Sequence, residues 1–188
     1  RFLTRTNHKV GRTNTLGPQA AEQGINKAVF REGVVIQMTW TGAPTIYYGD
    51  EAGVCGFTDP DNRRTYPWGH EDQVLLAFHK DIIRLRRENE ELRSGSLKML
   101  ESDYNFISYG RFNRKGQCAV LINNNNHPIT KEIHVWEIGT PKTGKMKVIL
   151  QSRDDGYCME GAEYEIKAGK ILIEMPQTSA TILKFIEE

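Results

Sequence analysis

The chain has 188 residues, 38% of them hydrophobic and 26% charged, which is enough for one domain or two small ones with a sizeable core and too apolar for a disordered segment. A formal net charge of +1 without a basic cluster excludes a broad electrostatic surface for nucleic acid or an anionic membrane, and no apolar run approaches the ~20 residues that cross a bilayer. Three widely spaced cysteines, Cys55, Cys118 and Cys158, argue against a disulfide framework and favour a reducing, cytoplasmic compartment, with one bridge plus a free thiol as the alternative.

Residues 1–20 are polar and rich in Thr, Asn and Gly, a loop composition. The chain has no start methionine, and its first residues lack the apolar centre of a signal peptide. It is therefore expected to begin inside a longer protein, with any export signal upstream. From Ile25 to about Trp40, Ala28, Val29, Val35, Ile36 and Met38 predict a helix with buried later turns, stopped by Gly42 and Pro44. Thr45, Ile46, Tyr47 and Tyr48 then predict a short buried strand ending at Gly49, with Asp50 and Glu51 at its carboxyl end. Parallel α/β folds place their binding groups at that end. The loop from Ala52 to His70 is about 19 residues long, against the usual 2 to 6 for such connections, and its Asp, Arg, Tyr and Trp content predicts a functional loop. Leu75, Phe78, Ile82 and Leu85 give the period of an amphipathic helix from Glu71 to about Asn89.

After Ser94 and Gly95 the period changes to short β-prone runs: 97–100, 106–112, 118–123, 132–136, 146–150, 171–175 and 181–186. Turn signals separate them, and the pattern is that of an antiparallel β-sandwich. The boundary falls near residues 90–95, giving an α/β unit over 1–92 and an all-β unit over 93–188.

The run Gly42-Ala43-Pro44-Thr45-Ile46-Tyr47-Tyr48-Gly49-Asp50-Glu51, followed by Asp59-Pro60-Asp61-Asn62-Arg63 and by Pro67-Trp68, resembles the last barrel strand and following loop of the α-amylase superfamily of glycoside hydrolases. Within that superfamily it is most similar to the cyclomaltodextrinase and neopullulanase group. Arg1-Phe2 resembles the tail of the family's His-Asp-x-x-Arg-Phe signature. The resemblance implies the final βα units of a (β/α)₈ barrel followed by a C-terminal β-sandwich, with the earlier barrel strands supplied by the missing N-terminal part. It also implies a retaining α-glucan hydrolase acting on α-1,4-glucosidic bonds of maltodextrins or cyclodextrins by double displacement. The family's catalytic carboxylates belong to those earlier strands, so no catalytic residue is assigned here. The chain alone is expected to be inactive, with no cofactor and no metal.

By the same resemblance Asp59 and Arg63 match the loop aspartate and arginine that hydrogen-bond a glucose unit. The chemistry fits, because a carboxylate accepts and a guanidinium donates. An Asp-Pro turn with a local ion pair is the competing reading. Tyr66 and Trp68 suit stacking on a pyranose ring or packing beneath the loop. Asp50 and Glu51, adjacent on a strand, point to opposite faces and are expected to serve structural hydrogen bonds, and Tyr47 and Tyr48 to pack the barrel. His70, His79 and Cys55 have no metal-ligand spacing. The Asp59-x-Asp61 run fails as a calcium loop, with Arg63 where a ligand is needed and Arg64 where the glycine should be. Gly139 to Met146 fails as a phosphate loop, because Met146 replaces the hydroxyl and a strand-like run follows; a hairpin turn is expected there. The expected partner is an α-glucan oligosaccharide. Two rival readings are a non-catalytic carbohydrate-binding or interaction module using sandwich aromatics such as Trp136, and a glucanotransferase or isomerase on the same barrel. An unpaired barrel strand further predicts a homo-oligomer burying residues 25–50.

Overall fold

Asn26 opens the first helix, α1 (Lys27–Thr39), by accepting at its side-chain oxygen from the amides of Ala28 (2.9 Å) and Val29 (3.2 Å), donors that a helix start leaves without partners. Asp72 does the same for α2 (Gln73–Glu88), accepting from Val74 and Leu75 at 3.0 Å. Both helices lie within the predicted ranges. A short α3 (Glu90–Ser94), which the periodicity did not signal, follows directly. The computed structural model describes residues 21–57, 59–60 and 62–187. The amino-terminal polar loop and the Arg1-Phe2 resemblance lie outside them.

Beyond α3 the described residues form nine strands: β1 (Ser96–Asp103), β2 (Phe106–Phe112), β3 (Gln117–Asn123), β4 (Ile129–Ile133), β5 (Gly144–Arg153), β6 (Gly156–Cys158), β7 (Glu163–Ile166), β8 (Ile171–Met175) and β9 (Ser179–Ile186). The larger sheet runs β1-β2-β3-β9-β5-β6, with β7 also paired to β5, and the smaller is β4-β8; every pairing is antiparallel. The run predicted as a strand over 132–136 divides instead. Its start belongs to β4, and Val135–Ile138 coil into a 3₁₀ turn whose Val135 and Ile138 are buried. The turn lies close under β2, where a Cβ on Gly110 would come within 2.1 Å of the Ile138 side chain. The segment after Gly139 therefore enters β5 from a helical turn, and the hairpin expected there is absent because no strand precedes it.

The central strands explain the layering. Along β3, Cys118, Val120 and Ile122 point to a core shared with Val35 and Met38 of α1 and with Phe78, Ile82 and Leu85 of α2. The alternate residues Ala119 and Leu121 point to a second core with Ile133 of β4 and Ile171, Ile173 and Met175 of β8. The large sheet is thus buried on both faces, by helices on one side and by the small sheet on the other. The first core runs across residues 92 and 93, where the sequence pattern changes.

The carboxyl end of α1 has no basic residue of its own, and two arginines from elsewhere close it. Arg111 of β2, 1% exposed, donates to the carbonyls of Thr39 (2.5 Å) and Gly95 (2.8 Å). Arg86 of α2 donates to Met38 (2.6 Å), Leu92 (2.7 Å) and Gly42 (2.8 Å). Both guanidiniums are pushed below their ordinary value by burial, and each meets the negative end of the helix dipole. The Thr39 hydroxyl completes the join, 2.6 Å from the Tyr109 hydroxyl.

The expected strand over Thr45–Tyr48 does not form. The segment is irregular, with Tyr48 already in a turn, and is laddered to no strand; Tyr47 and Tyr48 are 47% and 48% exposed rather than packed inside a barrel. A parallel strand needs neighbours to take its backbone bonds, and no parallel pair exists among the described residues. Here the Gln37 side-chain amide donates to the Thr45 carbonyl instead.

Candidate functional site

The loop predicted to carry function leaves and rejoins the fold at adjacent points. After Tyr48 the chain turns at Gly49, whose φ of 91° and closeness to Val54 (2.8 Å from an added Cβ) admit no side chain. One 3₁₀ turn, Asp50–Ala52, follows. The Asp72 amide then donates to the Ala52 carbonyl at 3.0 Å, so the base of the loop is closed by the residue that caps α2. Lys27 reaches the same Asp72 carboxylate at 2.5 Å, tying the start of α1 to that point.

Within the excursion the polar and aromatic groups pair off. Arg63 Nε donates to Asp59 Oδ1 at 2.8 Å, with both side chains more than half exposed, and the turn between them carries a bond from the Arg63 amide to the Pro60 carbonyl at 3.0 Å. Tyr66 and Trp68 lie 4.5 Å apart between ring centroids at 47°, and Trp68 is 80% exposed, so it does not pack beneath the loop. The Tyr48 hydroxyl donates to the Arg64 carbonyl at 2.9 Å, which fastens the loop to the end of the unladdered segment. Tyr47, 5.0 Å from Tyr48 between centroids, has its phenol held above its ordinary value by partial burial and by Tyr48, and it feels the charges of Arg63 and Asp59. The structure thus gathers Asp59, Arg63, Tyr66 and Trp68 on one loop and adds Tyr47 and Tyr48, which sequence reasoning assigned to packing. The signal that could have found those two is the missing neighbour: aromatics on a strand without partners have no interior to fill.

The carboxylates at the turn serve other ends. Glu51 Oε2 accepts from the Gly49 amide at 3.0 Å, folding back on its own backbone. Asp50 is pushed above its ordinary value by burial, against the opposing pull of His79 and with a further push from Glu51. His79 is itself a core residue, with Nδ1 2.8 Å from the Leu75 carbonyl and its ring between Phe30 and Phe78. No group of three or more His, Cys, Asp or Glu that could hold a metal exists among the described residues. No helix among them is long and apolar enough to cross a membrane. What remains at the loop is chemistry for holding rather than breaking bonds: one acceptor, one fork of donors and two aromatic planes, all reachable from water.

Comparison with known proteins gives a consistent picture. Residues 98–186 match the family described as the alpha amylase C-terminal all-beta domain. An amylopullulanase of Thermoanaerobacter thermohydrosulfuricus is 35% identical over 152 residues, covering 79% of this chain and 10% of that protein. Neopullulanase 2 of Thermoactinomyces vulgaris is 34% identical over 164 residues, covering 85% of this chain and 26% of its own length. A solved cyclomaltodextrinase structure superimposes with a TM-score of 0.70 at 25% identity, over 86% of this chain and 26% of that one. The chain therefore spans between a tenth and about a quarter of the length of these three relatives.

Proposed function

The chain belongs to the α-amylase superfamily of glycoside hydrolases, and from that premise we propose that it forms part of a retaining α-glucan hydrolase and contributes one wall of its substrate cleft. In this reading the loop binds malto-oligosaccharide. Asp59 and Arg63 bracket vicinal hydroxyls of one glucose unit, accepting and donating from the two ends of a single ion pair. Tyr66 and Trp68 offer the C–H face of a neighbouring ring an aromatic surface. The acid and the nucleophile of double displacement come from outside these residues. The last barrel units of the parent, carried by residues 1–92, gain their parallel ladder only beside the rest of that barrel, which accounts for the unladdered segment around Ile46. Three unpaired thiols, Cys55, Cys118 and Cys158, support a reducing compartment.

The observation that carries the proposal is the fastening of the loop to the end of the unladdered segment, through Tyr48 and Arg64, beside a solvent-facing ion pair and an exposed tryptophan. Titrating the 188-residue chain with maltoheptaose while recording backbone amide resonances tests it. Shifts are expected at residues 59–68, with loss of that binding in Asp59→Ala and Arg63→Ala and no release of reducing sugar. Binding at the loop that survives both substitutions would overturn the assigned roles.

A further inference from the structure

The small sheet leaves an open seam. β7 is laddered only to β5 and β8 only to β4, so the two strands run beside each other without a ladder between them. Two hollows lie along this seam. One, of about 540 Å³, is lined by Gln151, Arg153, Glu160, Tyr164, Glu174 and Gln177 among others. The second, of about 360 Å³, includes Glu132, Tyr164, Glu165, Lys167, Lys170 and Leu172. Tyr164 lines both, so the two hollows flank one aromatic side chain, and the larger of them forms a groove.

The chemistry of the lining narrows the ligand. Tyr164 packs against the second core and lines the larger hollow together with Arg153 and Glu174. Gln151 holds the Arg153 guanidinium through its side-chain carbonyl, which keeps that fork of donors in place. The larger hollow offers one cation, Arg153, against two anions, Glu160 and Glu174. In the smaller one, three glutamates (Glu132, Glu163 and Glu165) face two lysines, and the ammonium of Lys170 already lies 2.8 Å from Glu132. With five carboxylates against three cations, the lining of the two hollows repels polyanions. A packed aromatic, a held guanidinium, carboxylates and amides within one channel are instead the donors, acceptors and apolar plane that a neutral polyhydroxylated chain requires.

We propose that this groove is a second oligosaccharide site, separate from the loop of residues 52–70, which holds a linear α-glucan with one ring against Tyr164 and its hydroxyls between Arg153 and Glu174. The choice of an α-glucan rests on the function proposed above; the choice of a neutral saccharide rests on the groove alone. The site would keep a polymer on the protein without taking part in bond cleavage.

The test is the same maltoheptaose titration, followed at the amides of Arg153, Gly161, Tyr164 and Glu174 as well as at residues 59–68. Saturable shifts at the groove are expected, persisting in Asp59→Ala and Arg63→Ala and weakened roughly tenfold in Tyr164→Ala. Tyr164→Phe should keep the ring and most of the affinity, and Arg153→Gln leaves the core untouched should Tyr164→Ala fail to fold. Shifts confined to residues 59–68 would overturn the groove and leave the proposed function standing. Groove shifts with cellohexaose equal to those with maltoheptaose would overturn the α-glucan assignment. Silence at both places would overturn the groove and the proposed function together.

Discussion

Arg111 and Arg63 carry the same side chain into opposite circumstances. Arg111 is sealed between α1 and β2, with donors bonded to the carbonyls of Thr39 and Gly95. Arg63 lies at the surface, its side chain 66% exposed and bonded through Nε to Asp59. In the first place the guanidinium replaces water for a helix end that would otherwise be buried bare. In the second it holds its donors ready at little cost to the fold. The lesson is that a charged residue near a predicted site is informative only once its surroundings are accounted for, because an arginine sealed from water with both terminal nitrogens on buried carbonyls is out of a ligand's reach.

The contrast can be broken at its rigid side first. Phe78→Ala removes a fully buried ring shared by both helices and the sheet and should cost about 4 kcal/mol in chemical denaturation. Arg111→Met keeps much of the volume but strands two buried carbonyls; a loss of about 3 kcal/mol is expected, with α1 loosening first in amide exchange. A loss below about 1 kcal/mol would mean that Arg111 is dispensable as a cap.

A smaller effect is expected at Asp72, where the two regions meet. Burial raises its carboxyl, but the Lys27 ammonium and the amides of Leu75 and Val74 outweigh that and hold it below its ordinary 3.8. A carboxylate with a depressed folded value stabilises the fold above its unfolded value and loses that contribution as pH falls through the folded one. Stability should therefore decline below about pH 4, and Asp72→Asn should flatten the decline while costing about 1 kcal/mol at neutral pH through the weakened cap. Smallest of all, Asp59→Ala and Arg63→Ala should change stability by under about 0.5 kcal/mol, since the pair is exposed, while maltoheptaose binding at the loop is lost. Equal stability losses in Arg63→Ala and Arg111→Met would erase the contrast. Light scattering sharpens it from another side: exposed Trp40, Tyr47 and Tyr48 are expected to support concentration-dependent self-association through residues 25–50.

Much of the fold was legible because its signals are local. The 3-to-4 spacing of Leu75, Phe78, Ile82 and Leu85 marks α2, and the runs at 106–112 and 171–175 coincide with β2 and β8. What escaped is what depends on distant parts of the chain. β6 and β7 are only three and four residues long, too short to signal themselves, and exist because β5 is there to pair with them. Thr45–Tyr48 has a strand's composition without a strand's neighbours. Val135 falls in a run whose composition predicts a strand over 132–136, yet with Ile138, three residues on, it shares one face of a helical turn. At the loop, the family resemblance pointed to Asp59 and Arg63 and aromatic chemistry to Tyr66 and Trp68, whose pairing the structure supplies. Sequence reasoning assigns Tyr47 and Tyr48 to packing because burial is a property of the surroundings, and only the absence of neighbouring strands points the other way.

The double arginine clasp on α1 also bears on how the chain would withstand a protease. Since Arg86 and Arg111 grip the carbonyls of Met38, Thr39 and Gly42, and Lys27 grips Asp72, the pieces on either side of residues 52–70 are each anchored to the same interior by contacts that do not pass through that loop. A single cut there would leave the halves joined, eluting as one particle under native conditions and separating only in denaturant. The loop is thus free to vary or to be severed while the body that displays it stays whole.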